Sequence, residues 1–254
     1  MTEVGSVSSS PTTVRVSVLE GLRRAFHDEL HGPLPALLLA LTMLAGAVDA
    51  TSILRLGHVF VATMTGNLVF IGLAAAGAKG FAVGTSALAL GGFLIGVLIG
   101  GRACEVASSH RGLALRNVLA VKLGLASVVT LIGVLTGPHF PTGARDAMIV
   151  LLAMSMGDQL AAIRFLKVPD LLTVVLTMTI IGVLTERKRG WHDPAMLRRG
   201  LSLLAFALGA LTGALLILNA GVSAALFFGL GIIVATTIAA HQLSRTTASW
   251  AAPR

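Results

Sequence analysis

Residues Ala45 to Ala74 read AGAVDATSILRLGHVFVATMTGNLVFIGLA, an apolar stretch interrupted by one carboxylate (Asp49), one short break (Leu56-Gly57-His58) and one polar triplet (Thr65-Gly66-Asn67). The apolar residues on either side of the break run long enough for helices, and so short a break forces neighbouring helices to pack antiparallel. Asp49 lies eight residues before Gly57 and Thr65 eight after it. At 1.5 Å rise per residue both are expected about 12 Å below the turn, in one layer. A carboxylate at that depth in hydrocarbon costs roughly 2.5 to 3.5 kcal/mol and nearly always faces a bundle interior, which makes Asp49 the first candidate functional residue.

The rest of the chain fits that setting. Of 254 residues, 55% are hydrophobic and 12% charged, and the charges cluster between long apolar runs. This is the pattern of a polytopic, all-α transmembrane helix bundle. A spanning barrel would instead alternate polar and apolar positions over about ten residues. Eight apolar segments are expected, at about 34–56, 59–78, 81–101, 117–136, 146–166, 171–185, 199–218 and 221–241. A seven-span count is the alternative, because the sixth segment is short. The single membrane domain is placed at 34–242, after a tail and amphipathic surface helix at 1–33 and before a polar C-terminal tail at 243–254.

The net charge of +8 sits in loops beside apolar runs, where anionic lipid headgroups and topology explain it without nucleic acid. With the N-terminus cytoplasmic, the eight-span reading places Arg102, Arg111, Arg116 and Lys122 together on the outer side, against the positive-inside rule. Lys122 is read as snorkelling to the headgroups. Cys104 is the only cysteine, so no intramolecular disulfide or thiolate metal site can form, and none of the seven histidines has metal-ligand spacing. No nucleophile-base pair or nucleotide-binding loop is present, so an enzyme is not expected, nor a cofactor.

Internal similarity links the two ends of the chain. GFLIGVLIG (Gly92–Gly100) aligns with AFALGALTG (Ala205–Gly213) at an offset of 113, matching Gly96 with Gly209 and Gly100 with Gly213. Small residues four apart let helix backbones approach closely. A similar offset brings Thr65 to Thr177 and Asn67 to Thr179, so the sequence suggests two four-helix halves, about 34–136 and 146–241, with the same membrane orientation. In the second half Asp158 and Gln159 precede the Val168-Pro169-Asp170 turn as Asp49 precedes Gly57.

The segment Gly46–Leu73, with V-D-A at Val48–Ala50 and M-T-G-N at Met64–Asn67, resembles the YoaK-like family of bacterial integral membrane proteins. The resemblance extends over about 34–240. That family carries G-x-Q-N-A and T-G-T in its second half, where this chain has Gly157-Asp158-Gln159-Leu160-Ala161 and Thr177-Met178-Thr179. Membership implies a multi-span protein of the inner membrane and no established activity.

Two functions are weighed. In a small-solute transporter or permease, proton-coupled or not, Asp49, Thr65, Gly66, Asn67, Asp158, Gln159, Thr177 and Thr179 line a central site, while Gly96, Gly100, Gly209 and Gly213 pack the helices. In a non-transporting scaffold or partner subunit, the same polar groups only set helix register. The expected partners are the lipid bilayer, a small-molecule solute and a second copy of the chain, with no nucleic acid.

Overall fold

The computed structural model describes residues 18–27, 29–137, 139–168 and 194–252. These form eight α-helices: α1 (Val18–Phe26), α2 (Leu34–Arg55), α3 (Met64–Ala75), α4 (Val83–Val106), α5 (Arg111–Thr136), α6 (Thr142–Leu166), α7 (Pro194–Ala220) and α8 (Val222–Leu243). A single 3-10 turn, Ser249–Ala251, follows. Six of the helices (α2 and α4 to α8) are long and apolar enough to cross a membrane. The expected segment at 171–185, with Thr177 and Thr179, lies outside the described residues.

Glycines set the two closest helix pairs. Cβ atoms added at Gly92 and Gly100 would lie 2.7 Å from the Val150 carbonyl oxygen and 2.6 Å from Asp158 Cα, and one at Gly96 would meet the Met154 carbonyl. Contacts advancing in step along both chains make α4 and α6 parallel. On α7, Gly209 abuts the Met43 carbonyl and Gly213 approaches Ala47, so α2 and α7 are parallel too. Without a hydrophobic drive between helices in lipid, such close backbone approach supplies the dispersion contacts that hold a bundle.

The antiparallel pairs fix the remaining directions. Arg111, at the start of α5, donates to the Leu166 carbonyl at the end of α6, to Trp250 O at 3.1 Å and to Leu30 O at 3.4 Å. The start of α2, the start of α5, the end of α6 and the C-terminal turn therefore share one face, here the N-terminal face. Arg198 in α7 reaches the same face, donating to Ala25 O at 3.2 Å and Arg24 O at 3.0 Å in α1. The C-terminal segment is more than a polar tail: Trp250 and Ala251 are buried, and His110 Nε2 lies 2.8 Å from Thr246 O.

At the opposite face, a Cβ on Gly57 would lie 3.8 Å from Arg145 Nη1 in α6 and 3.9 Å from Thr85 Cγ2 in α4. The chain thus leaves α2 and enters α4 on the same face. What lies between is not a spanning helix but a re-entrant segment, which corrects the expectation of a second span at 59–78. Its helix, α3, has 12 residues, about 18 Å of rise against about 30 Å of hydrocarbon. A second correction follows, since α2 runs from the N-terminal face to the opposite face and α6 runs back. The first and fifth apolar segments do not share an orientation, and an axis along the membrane normal cannot relate them.

Candidate functional site

The re-entrant segment begins with two left-handed residues, Gly57 (φ 99°) and His58 (φ 54°), which turn the chain back along α2. Residues 57–63 are not helical, and backbone of that kind survives at membrane depth only when its polar groups are satisfied by protein. Asp49 supplies much of that satisfaction. Its Oδ1 accepts from Val61 N at 2.9 Å and Ala62 N at 2.8 Å, and its Oδ2 accepts from the Thr63 hydroxyl at 2.5 Å. The carboxylate thus sits at the amino end of α3, where free N–H groups and the helix dipole favour negative charge.

Asn67 secures the other side of the segment. It accepts from Phe60 N at 3.0 Å and donates to Phe60 O at 2.7 Å, pairing with both main-chain groups of one residue. Gly66 lies beneath the Phe60 ring, which any Cβ there would strike. Phe60 stacks on Phe70 at 5.4 Å between centroids, and Phe70 meets Phe81 at 5.0 Å. The irregular backbone lies at 57–63, whereas Gly66 is helical within α3. Thr65 is exposed, and Thr63 is the hydroxyl that meets Asp49. A non-helical descent of the chain through 57–63, which the depth calculation treated as helix, accounts for that shift of two residues.

Asp158 has a different environment. It is fully buried in α6 against Gly100 of α4, and neither carboxyl oxygen has a hydrogen-bond partner among the described residues. Gln159 donates to Leu41 O at 3.3 Å, and its Oε1 is unpaired. Lys122, expected to snorkel, is fully buried in α5, and its Nζ donates to Ser155 O at 2.5 Å and Ser155 Oγ at 2.9 Å. Its place several residues inside an apolar segment is the sequence signal for burial, and snorkelling does not describe it.

Between α2, α5, α6 and α8 lies a cavity of about 30 Å³, lined by residues that include Val48, Thr51, Thr130, Leu152, Leu226 and Gly229. Among the described residues no charged side chain lines it, and neither Asp49 nor Asp158 is part of the lining. Neither acidic residue of the expected central site contributes to this cavity, and Thr177 and Thr179 lie outside the described residues. Asp49 is turned toward the re-entrant segment and Asp158 toward α4 and α5. Thr51 and Thr130 donate to the carbonyls one turn back, Ala47 O and Ala126 O, both at 2.8 Å. Among the described residues no group of three metal-ligating side chains occurs.

The family model described as "Protein of unknown function (DUF1275)" matches residues 37–239, from the first turn of α2 through the re-entrant segment to the last turns of α8. The chain belongs to this family. It is 29% identical over 189 residues to the UPF0700 transmembrane protein YoaK of Bacillus subtilis (strain 168), covering 70% of this chain and 82% of that protein. No solved structure matches it. The transmembrane relative and the six long apolar helices make it a multi-pass membrane protein, and Asp49, Asn67, Lys122 and Asp158 lie within the matched range.

Proposed function

We propose that the protein is a small-solute permease of the bacterial inner membrane, with its N-terminus in the cytoplasm and two inverted halves meeting around the central cavity. The cavity carries this reading, because it lies where α2 and α5 meet α6 and α8. Equivalent contacts support two related halves. Gly46 abuts the Phe206 carbonyl and the Ala210 nitrogen, and Gly157 abuts the Phe93 carbonyl and the Val97 nitrogen. The offsets are 111 for the glycines and 113 for their partners, and the opposite directions of α2 and α6 make the relation one about an axis in the membrane plane.

Charge distribution supports the orientation. Among the described residues only Arg55, Lys79 and Arg145 of the basic side chains lie toward the face opposite the N-terminus, whereas Arg23, Arg24, Arg102, Arg111, Arg116, Lys167, Arg198, Arg199 and Arg245 lie toward the N-terminal one. The conflict of the eight-span reading with the positive-inside rule disappears once α3 does not cross.

A lining of aliphatic groups with two threonine hydroxyls, whose lone pairs remain open to accept, suits an uncharged solute carrying an N–H or O–H donor. The present volume admits only a water-sized guest, as in a closed state. Proteoliposomes challenged with a panel of uncharged amides, alcohols and polyols test the reading. Flux of at least one solute, lost in a folded Ala126→Phe variant that fills the cavity, is expected. Folded protein that passes none of them would end it.

A further inference from the structure

Lys122, Ser155 and Asp158 form a buried polar cluster one helical turn from the cavity. Ser155 lies three residues after the lining residue Leu152 in α6, and Lys122 four before the lining residue Ala126 in α5, so each shares a face with its neighbour. Asp158 is three residues beyond Ser155 on α6 and within electrostatic reach of Lys122, yet the ammonium is committed to Ser155 and neither carboxyl oxygen has a hydrogen-bond partner among the described residues. Among the described residues, α4 brings Cys104 close to Asp158, with exposed Glu105 beside it, and α2 brings the Leu41 carbonyl, through Gln159. A carboxyl group in such a setting can be accommodated in two ways, as a neutral acid or as a carboxylate facing an ammonium.

The geometry points to Lys122 and Asp158 as a proton-exchange site with two discrete arrangements. With a proton on Asp158, Nζ rests on Ser155, the arrangement seen here. When the carboxyl O–H bond breaks, the proton passes to water, the electron pair stays on the carboxylate, and Nζ swings from Ser155 to Asp158. The ligand is a proton, and the switch draws Lys122 away from the turn of α6 that borders the cavity. This assigns the coupling group of the permease and rests on that reading for its purpose, whereas the protonation chemistry needs no solute.

Infrared difference spectroscopy on the purified full-length protein, titrated in H2O and D2O, reads the site directly. The C=O stretch of a protonated carboxyl group should appear and disappear reversibly with pH, be absent in Asp158→Asn and persist in Asp49→Asn. Lys122→Met should keep the band into more alkaline solution, because no ammonium remains to receive the carboxylate. Ser155→Ala removes one acceptor of Nζ, frees it for Asp158 and should move the midpoint to lower pH, a readout that serves if Asp158→Asn fails to fold. A band unchanged in Asp158→Asn, no titrating band, or a midpoint indifferent to Ser155→Ala overturns the assignment. A titrating band without flux would sustain the proton site and sink the permease, and flux without the band would do the reverse.

Discussion

The carboxylate of Asp49 holds the main-chain nitrogen of Val61, twelve residues further along, at 2.9 Å. That bond ties α2 to a stretch of chain which enters the bundle without helical hydrogen bonds and leaves by the same face. Asp49 replaces the ladder that the segment lacks, so both of its carboxyl oxygens are committed to local structure.

Removing that acceptor should therefore unravel the segment. Asp49→Leu leaves two buried N–H groups and the Thr63 hydroxyl without their partner, at a cost of about 3 kcal/mol or more. Asp49→Asn keeps one carbonyl oxygen for the two N–H groups and should cost much less. Thermal unfolding in detergent checks the order: wild type and Asp49→Asn close together, Asp49→Leu well below. Thr63→Val should also destabilise, while Thr65→Val, at an exposed position, should not.

Helix contacts give a second prediction. Gly96→Ala must push α4 away from the Met154 carbonyl, and Gly209→Ala must push α7 from the Met43 carbonyl, each costing about 1 to 3 kcal/mol by overpacking. Gly124→Ala in α5 meets nothing within 4 Å and should be neutral or mildly stabilising. Melting temperatures of the three variants, measured side by side, decide the matter. Equal stability of Gly96→Ala and Gly124→Ala would show that the close approach of α4 and α6 is not a strong constraint.

The fold was legible where the chain obeys one period over a long stretch. The six long helices follow from apolar length, and the Gly92–Gly100 and Ala205–Gly213 alignment names the helices that approach others most closely. It failed at residues 57–63, because an apolar stretch reads the same whether it continues a helix or descends as irregular chain. Composition cannot separate the two; only the partners of the backbone can, and these are Asp49 and Asn67. That one error carried a second crossing into the count and inverted the apparent orientation of everything after it up to α6. Lys122 was misread for the related reason that its depth depends on which face α5 turns inward.

The Arg111 clasp predicts where the bundle opens first. One guanidinium joins the carbonyls of Leu30, Leu166 and Trp250, and a buried donor set of that kind is costly to replace. Arg111→Lys should hold fewer of the three carbonyls and Arg111→Ala none. Hydrogen exchange at residues 244–252 should rise in the order wild type, Arg111→Lys, Arg111→Ala, with the backbone near Asp49 unchanged. Uniform acceleration throughout the molecule would mean that the residue supports global stability and not the docking of the C-terminal turn.

Topology gives the widest separation between alternatives. Single cysteines in a Cys104→Ser background at Ser108, after α4, and at Thr247, near the C-terminus, should label from the same side of the membrane with an impermeant maleimide. Cysteines at His58 and Lys79, which flank α3, should both label from the other side. An eight-helix crossing pattern places Ser108 opposite Thr247 and Lys79 opposite His58, so it reverses both pairings. The two pairings must change together, since each depends on whether the chain between Gly57 and Thr85 crosses the bilayer or returns to the face from which it came.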